Sequence, residues 1–400
     1  MREAQDRLAD GVLWIGALDP ERRWFDFLPL EHGTTYNSYL VRGKTSTALV
    51  DTVHPSFAAP FLERLARLCP TGPDYVVVNH TEPDHAGALA GVLQAYPQAQ
   101  VVCSRAGAKF LENLLHAGLR PRVVDEAARL DLGGRHLRFF ITPLLHWPDT
   151  MMAYLEEEAI LFSCDAFANH FSPSSLQESE LPSLEESSRF YYRAIMRPYR
   201  DHVQKALARL EGLPLRVIAP SHGPILDRDP AQHLAWYRTW STPADTAGKA
   251  AVVYASAYGN TRRLAEAAAA ALTAAGIQVR LWDAAREDPS GAADLVDGVQ
   301  GLLVGSPTIM GDVAHPIWEF LSQLARVPRR GKLAGVFGSY GWSGEAAGIL
   351  EERLRGLGFR LAVPALRVPL APAPPDLEHI GELAGNFARE LETTQEEGPR

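Results

Sequence analysis

Three cysteines, Cys69, Cys103 and Cys164, lie scattered through 400 residues with no C-x-x-C pair among them. That spacing excludes a disulfide framework and any thiolate-held iron or iron–sulfur module, and reads as three reduced thiols packed inward. Long apolar runs are missing as well. No stretch approaches about eighteen apolar residues, and MREAQDRLADG at the N-terminus lacks the apolar core of a signal peptide, so a cytoplasmic protein is expected. Basic clusters are absent beyond doublets such as Arg329-Arg330. With a net charge of −9, the chain carries no electrostatic footprint for nucleic acid or an anionic membrane.

What is present is apolar residue, 46% of the chain, in a length that exceeds one comfortable core. Residues 11–16, 36–42, 47–51, 75–79, 100–103, 137–142, 153–155, 159–163 and 216–220 read as strands, with helical patterns at 56–68, 86–96, 107–117 and 187–211. This mixture predicts two sheets clad by helices. The polar, proline-containing segment STPADTAGK at 241–249 marks a boundary, giving domains at 1–245 and 250–394. Beyond it the texture becomes regular. Strands at AAVVYA, QVRLW, GLLVGS, KLAGVFGS and 359–363 alternate with helices at 261–275, 316–326, 344–357 and 377–392, which predicts a doubly wound parallel sheet. The segment 364–376 reads as a surface loop and TTQEEGPR as a frayed tail.

The densest chemistry follows the apolar run Tyr75-Val76-Val77-Val78. NHTEPDH places His80, Glu82, Asp84 and His85 within six residues, where a buried strand opens into a loop and side chains can converge on a metal. Glu82 stands where zinc hydrolases with H-x-H-x-D-H carry a second imidazole. The resulting carboxylate-rich set suits iron or manganese pairs. His146 in LLHWPDT, Asp165 in LFSCDAF and His222 in APSHGP each sit where a further strand ends. Seven ligands are too many for one tetrahedral ion and suit two adjacent ions sharing a bridging carboxylate with open positions left over. The order of these motifs matches a metallo-β-lactamase-like αββα sandwich. His170 and His32 are candidates to back the ligands, and the remaining histidines, His233 among them, read as solvent-facing.

A second constellation follows AAVVYA, where Ser256, Ala257, Tyr258, Gly259, Asn260 and Thr261 open a helix. Hydroxyls and backbone N–H groups at a helix N-terminus cradle a phosphate. Two further loops end neighbouring strands: GSPT, with Pro307, Thr308 and then Ile309, and GSYGWSG, with Ser339, Tyr340, Gly341, Trp342, Ser343 and Gly344. Tyr340 and Trp342 would flank a planar ring. No G-x-G-x-x-G follows the first strand of this half, so a mononucleotide, FMN, fits better than a dinucleotide.

Taken with GTTYNSYLV, NHTEPDHAG, LHWPDTM, LFSCDAF, SHGP, YASAYGNT, GSPT and FGSYGWSGEA, nearly the whole chain resembles the flavodiiron proteins, or A-type flavoproteins. The resemblance implies a flavodoxin-like second domain holding FMN. It implies one iron on His80, Glu82 and His146, a second on Asp84, His85 and His222, and Asp165 bridging them. It also implies reduction of O2 to water, of NO to N2O, or both. The electrons would come from a separate donor, rubredoxin or a flavin or NAD(P)H reductase. Two domains of this size would set the sites roughly 30 Å apart within one chain, and the resemblance implies a head-to-tail homodimer that closes the gap. One departure stands out. The family often carries paired asparagines after GSPT, and here the loop reads Ile309-Met310-Gly311-Asp312. Competing expectations are a zinc hydrolase with an accessory flavodoxin-like domain and an electron-transfer flavoprotein with a structural metal site.

Overall fold

The computed structural model describes residues 6–25, 28–116, 118–328 and 331–397; Arg329-Arg330 and the last three residues of the expected tail lie outside them. The chain forms two compact units, Met1–Thr242 and Pro243–Arg400.

In the first unit a seven-stranded sheet runs in the order Arg7–Ala9, Val12–Trp14, Tyr39–Arg42, Thr47–Val50, Tyr75–Val78, Gln100–Cys103 and Arg122–Val123. A five-stranded sheet runs Arg129–Asp131, His136–Ile141, Met151–Leu155, Ile160–Cys164 and Val217–Pro220. The period-2 pattern explains why they face each other. Val12, Val41, Val50, Val77 and Val102 from one sheet meet Leu137, Phe139, Ala153, Phe162 and Ala219 from the other in a single core. Alternate residues point outward: Leu40, Leu49, Val76 and Val101 take Phe61, Leu65, Leu89 and Leu111 of the helices Ala58–Leu68, Leu89–Ala95 and Arg105–Leu115. Met152, Tyr154, Leu161 and Ile218 take Val203, Leu207 and Tyr237 of Arg200–Leu210 and Pro230–Ser241 on the other side. This is an αββα sandwich.

Three expectations change here. The single helix expected over 187–211 is Glu185–Tyr191, a π-helical stretch Tyr192–Met196, a short turn Arg197–Tyr199 and then Arg200–Leu210. Pro198 has no N–H to continue the ladder, so the helix cannot run through it. The helix Pro230–Ser241 was not legible, because its buried positions are Pro230, His233, Tyr237 and Ser241 rather than aliphatic residues. His233 is 2% exposed with Nε2 2.9 Å from Glu178 Oε1, not solvent-facing.

In the second unit the parallel sheet runs Gln278–Asp283, Lys249–Tyr254, Gly301–Gly305 and Leu333–Tyr340, and the last of these pairs with both Arg360–Leu361 and Leu366–Pro369. Strand Leu366–Pro369 lies in the segment expected to be a loop. It pairs Phe337 with Leu366 and Ser339 with Val368, but only Val368 is buried, which hides the alternation a strand normally shows. The final helix runs Pro374–Glu397, so the first five residues of the expected tail belong to it. Helices Asn260–Ala274 and Pro374–Glu397 cover one face through Leu264, Ala268, Phe387 and Leu391, while Ile317, Phe320, Leu350 and Leu354 cover the other.

After Gly301–Gly305 the chain makes a two-residue hairpin, pairing Thr308 with Val313 and Ile309 with Asp312. Met310 and Gly311 occupy its corners with φ of 53° and 76°. Two positive φ values are the requirement of a type I′ turn, where asparagine is favoured at the first corner and methionine is not. Met310→Asn is therefore expected to raise the stability of this unit by about 0.5–1 kcal/mol, read as a higher denaturant midpoint; a lower midpoint would show that the Met310 side chain contributes more than its backbone costs.

Candidate metal centre and flavin site

All seven sequence-selected ligands lie just past the carboxyl ends of strands in the first unit or in the loop joining two of them. His80 follows Tyr75–Val78, Asp165 follows Ile160–Cys164, and His222 follows Val217–Pro220. His146 sits between His136–Ile141 and Met151–Leu155. Glu82 precedes the one-turn helix Pro83–Ala86 that carries Asp84 and His85. The loop after His222 needs Gly223, whose φ is +80° and whose absent Cβ would stand 2.7 Å from Asn169.

Around Asp165 the imidazoles and carboxylates sort into two groups. Asp165 Oδ2 lies 3.8 Å from both His80 Nε2 and His146 Nε2, and Glu82 Oε2 lies 2.9 Å and 3.2 Å from the same two nitrogens. Asp165 Oδ1 lies 3.3 Å from His85 Nε2 and 3.5 Å from His222 Nε2, and Asp84 Oδ2 lies 3.5 Å and 3.1 Å from those nitrogens. One carboxylate thus offers one oxygen to each side.

On the Asp84 side the fit to a metal rests on atoms that have no protein partner. Asp84 Oδ1 and Oδ2 and His85 Nε2 are buried without a hydrogen bond. His222 Nε2 comes within 3.1 Å of Asp84 Oδ2 without the geometry of one. Lone pairs that approach but do not pair are aimed at a common point, and leaving such groups bare would cost several kcal/mol each. Six of the seven residues are at most 8% exposed; His146, with a side chain 16% exposed, marks the way in beside the partly exposed ring of Trp147.

Charge is balanced inside this burial. Burial pushes the Asp165 carboxyl up, but the nearby charges of His85 and His222 hold it well below its usual range. Asp84 and Glu82 are lowered likewise against burial, by His85 and His222 and by His146 and His80 respectively. Burial would lower His222, yet the carboxylates of Asp165 and Asp84 beside it carry it from 6.5 up to about 10; His80 and His85 are raised too. Without metal, the raised imidazoles contribute stability that is complete below 6.5 and lost as pH climbs through their folded values toward about 10. The lowered carboxylates do the reverse, losing their contribution only as pH falls below 3.8–4.5. Chelator-treated protein should therefore melt progressively lower from pH 6.5 to 10. Metal-loaded protein should resist that fall, since ligation needs neutral imidazoles. A flat melting profile in the metal-free sample would contradict the charged arrangement.

Partners behind the ligands were not legible in the sequence. His80 Nδ1 meets Asp149 Oδ2 at 3.1 Å, and Asp149 also accepts from Thr81 N and Oγ1 at 2.8 Å each. His222 Nδ1 donates to the Thr35 carbonyl at 2.6 Å. Asn37 Nδ2 donates to the carbonyls of Pro220 and Gly223 at 2.8 and 2.9 Å, bracketing His222. Asp51 accepts from Asn79 N at 2.7 Å, and burial pushes its carboxyl up to about 6. Such partners fix ring orientation and raise ligand basicity. Of the two histidines expected to back the ligands, His170 is buried with its ring 5.1 Å from that of His222, whereas the His32 side chain is 69% exposed.

In the second unit the strand order reverses between Lys249–Tyr254 and Gly301–Gly305, the crevice where doubly wound sheets take ligands. Ser256, Ala257 and Tyr258 lead to Gly259, whose φ of 84° turns the chain into helix Asn260–Ala274. No atom lies within 4 Å of where a Gly259 Cβ would stand, leaving its approach open. Thr261 Oγ1 bonds Ser339 Oγ at 2.9 Å, tying the first loop to the third, and Thr308 Oγ1 accepts from Ala346 N at 3.4 Å, tying the second to the helix that follows the third. Tyr258 and Trp342 are 94% and 69% exposed, Ile309 stands partly exposed on the hairpin, and Tyr340 packs beside Gly344. Ser343 bonds Glu345 at the start of Glu345–Gly356, with Gly341 in the bend before it. Bare aromatic rings beside a helix N-terminus fit a phosphate with a flat ring attached.

Comparison with known proteins agrees with both units. Residues 34–223 match the ODP family beta lactamase model and residues 252–382 the flavodoxin model. The chain is 41% identical to the type A flavoprotein of Rhodobacter capsulatus, covering 93% of this chain and 88% of that one. It is 35% identical to the flavo-diiron protein FprA2 of Clostridium acetobutylicum (96% and 99% covered) and 34% identical to a nitric oxide reductase of Moorella thermoacetica (96% and 98%). Among solved structures it is similar to rubredoxin oxygen:oxidoreductase from Desulfovibrio gigas, with a TM-score of 0.73 at 30% identity over 97% of this chain and 99% of that one. A beta-lactamase-like sandwich whose buried histidines and carboxylates divide around Asp165, continued by a flavodoxin-like sheet, places this chain in the flavodiiron protein family.

Proposed function

We propose that this protein is an FMN-dependent diiron oxidoreductase that reduces O2 to water, NO to N2O, or both. The observation that carries the reading is the division of Asp165, one oxygen to the His80, His146 and Glu82 side and one to the His85, His222 and Asp84 side. When bound, two ferrous ions and a reduced flavin together supply four electrons, the number that turns O2 into water, and two of them suffice to couple two NO molecules. His80, Glu82 and His146 would hold one iron, Asp84, His85 and His222 the other, and Asp165 both. Three carboxylates with four neutral imidazoles would offset most of the charge of two ferrous ions. Burial of the pocket excludes bulk water, and Asp149 and the Thr35 carbonyl hold the His80 and His222 imidazoles in register.

FMN would sit over Ser256 to Thr261, Pro307 to Ile309 and Ser339 to Gly344. The protein would act in the cytoplasm, as a head-to-tail homodimer that sets the flavin of one copy against the irons of the other. Its electrons would come from a separate donor, rubredoxin or a flavin or NAD(P)H reductase. No described helix is long and apolar enough to cross a membrane. Iron and flavin analysis of the purified protein, followed by anaerobic reduction and titration with O2 and NO separately, tests this. About two irons and one FMN per chain with consumption of either gas supports it; zinc with hydrolytic activity, or gas consumption independent of iron, overturns it.

A further inference from the structure

His170 is 7% exposed, with Nε2 buried and without a hydrogen-bond partner among the described residues. Its Nδ1 stands 3.0 Å from Thr34 Oγ1. Among the described residues that hydroxyl has one other acceptor in reach, the Thr35 carbonyl at 3.4 Å, and the same carbonyl already takes the His222 Nδ1 hydrogen at 2.6 Å. The shorter and less contested bond is to His170, so Thr34 donates and Nδ1 accepts. An imidazole that accepts at Nδ1 carries its hydrogen on Nε2. Around that donor lie the rings of Phe25 at 4.3 Å, Tyr191 at 4.9 Å and His222 at 5.1 Å, measured between centroids. Phe25 offers no acceptor. Tyr191 turns its hydroxyl to Asp165 Oδ1 at 3.3 Å, and His222 turns Nε2 to Asp84 Oδ2 at 3.1 Å, so these two polar atoms are already directed at the metal centre. A buried N–H left without an acceptor costs about 1–3 kcal/mol, and no described residue supplies the acceptor here.

We infer that the His170 Nε2 hydrogen is a donor to a small ligand resting in the centre, an anion or diatomic with an exposed lone pair, and that Thr34 sets the tautomer that makes it one. The inference rests on the diiron reading and adds a ligand-contacting residue to it. Phe25 and Tyr191 pack against the His170 ring and Nε2 itself is buried, so the donor is shielded from bulk water.

Azide is the probe, titrated into the iron-loaded holoprotein and into His170→Gln and His170→Leu, with affinity expressed per bound iron pair so that partial loading does not enter. Gln keeps a donor and Leu keeps only bulk. His170→Leu is expected to bind azide about tenfold more weakly, the ~1.4 kcal/mol of one net hydrogen bond, while His170→Gln stays within about threefold of the parent. The infrared stretch of bound azide should shift on exchange into heavy water in the parent and in His170→Gln but not in His170→Leu. Equal affinities and identical isotope behaviour in all three proteins would overturn the inference while leaving the diiron reading standing. A parent that takes up no iron would overturn both.

Discussion

Asp165→Asn is expected to empty both halves of the centre and to lower O2 and NO consumption by about 1000-fold, on the order of 4 kcal/mol of lost transition-state stabilisation, while the flavin absorbance of the protein persists. The reason is geometric. Asp165 Oδ1 faces His85 and His222, and Oδ2 faces His80 and His146, so both oxygens are needed as anionic acceptors. Asparagine has one oxygen and one NH2 group, and whichever way the amide turns, an N–H points at a pair of nitrogens that must themselves face a cation. The buried charge balance fails as well. His222 and His85 rely on Asp165 to offset their burial, and three carboxylates become two. Iron analysis, gas consumption and the visible flavin spectrum on one preparation settle it. Undiminished iron with undiminished turnover would show that Asp165 bridges nothing.

The contrast between what the sequence disclosed and what it hid follows from range. His80, Asp165 and His222 each follow a largely apolar run, and such runs announce both the buried strand and the loop where it ends. The metal cluster was legible because strand ends are local features. Asp149 was not, although LHWPDT was noticed, because its partner His80 lies 69 positions away and nothing in either segment reports the pairing. Thr35 contributes a backbone carbonyl, which every residue has and no sequence pattern marks. The sandwich and the parallel sheet followed from periodicity, whereas helix Pro230–Ser241 buries histidine, tyrosine and serine where a reading by hydropathy looks for leucine. Strand Leu366–Pro369 sits at the sheet's margin with alternate residues exposed and a proline at its end, so it resembled the loop around it. At the hairpin after GSPT the absence of asparagine was visible, but the left-handed backbone at Met310 was not.

Asp149→Asn isolates the part of the centre that the sequence concealed. Asp149 is 1% exposed and sends Oδ2 to three donors, His80 Nδ1 and the N and Oγ1 of Thr81, while its own carbonyl accepts from Ser104 Oγ at 2.7 Å. Burial would raise its carboxyl, and the bonds from His80 and Thr81 lower it instead, so the residue is an anion held against the outer nitrogen of a ligand. An asparagine fills the same volume and can keep its oxygen on Thr81, so the fold should survive. What it cannot supply is the negative charge that makes His80 Nε2 a better electron donor. Affinity for one iron should therefore fall about 10- to 100-fold, ~1.4–2.7 kcal/mol, with turnover falling alongside and the second iron less affected. A chelator competition titration reads the two affinities separately. Thr81→Val serves as the control, since it removes one donor to Asp149 but leaves the His80 contact intact, and it should cost much less. If Asp149→Asn and Thr81→Val weaken iron equally, Asp149 only braces the loop, and the orientation of His80 comes from its own packing between His85, His146 and Trp147, whose rings lie 5.0, 5.6 and 5.1 Å away.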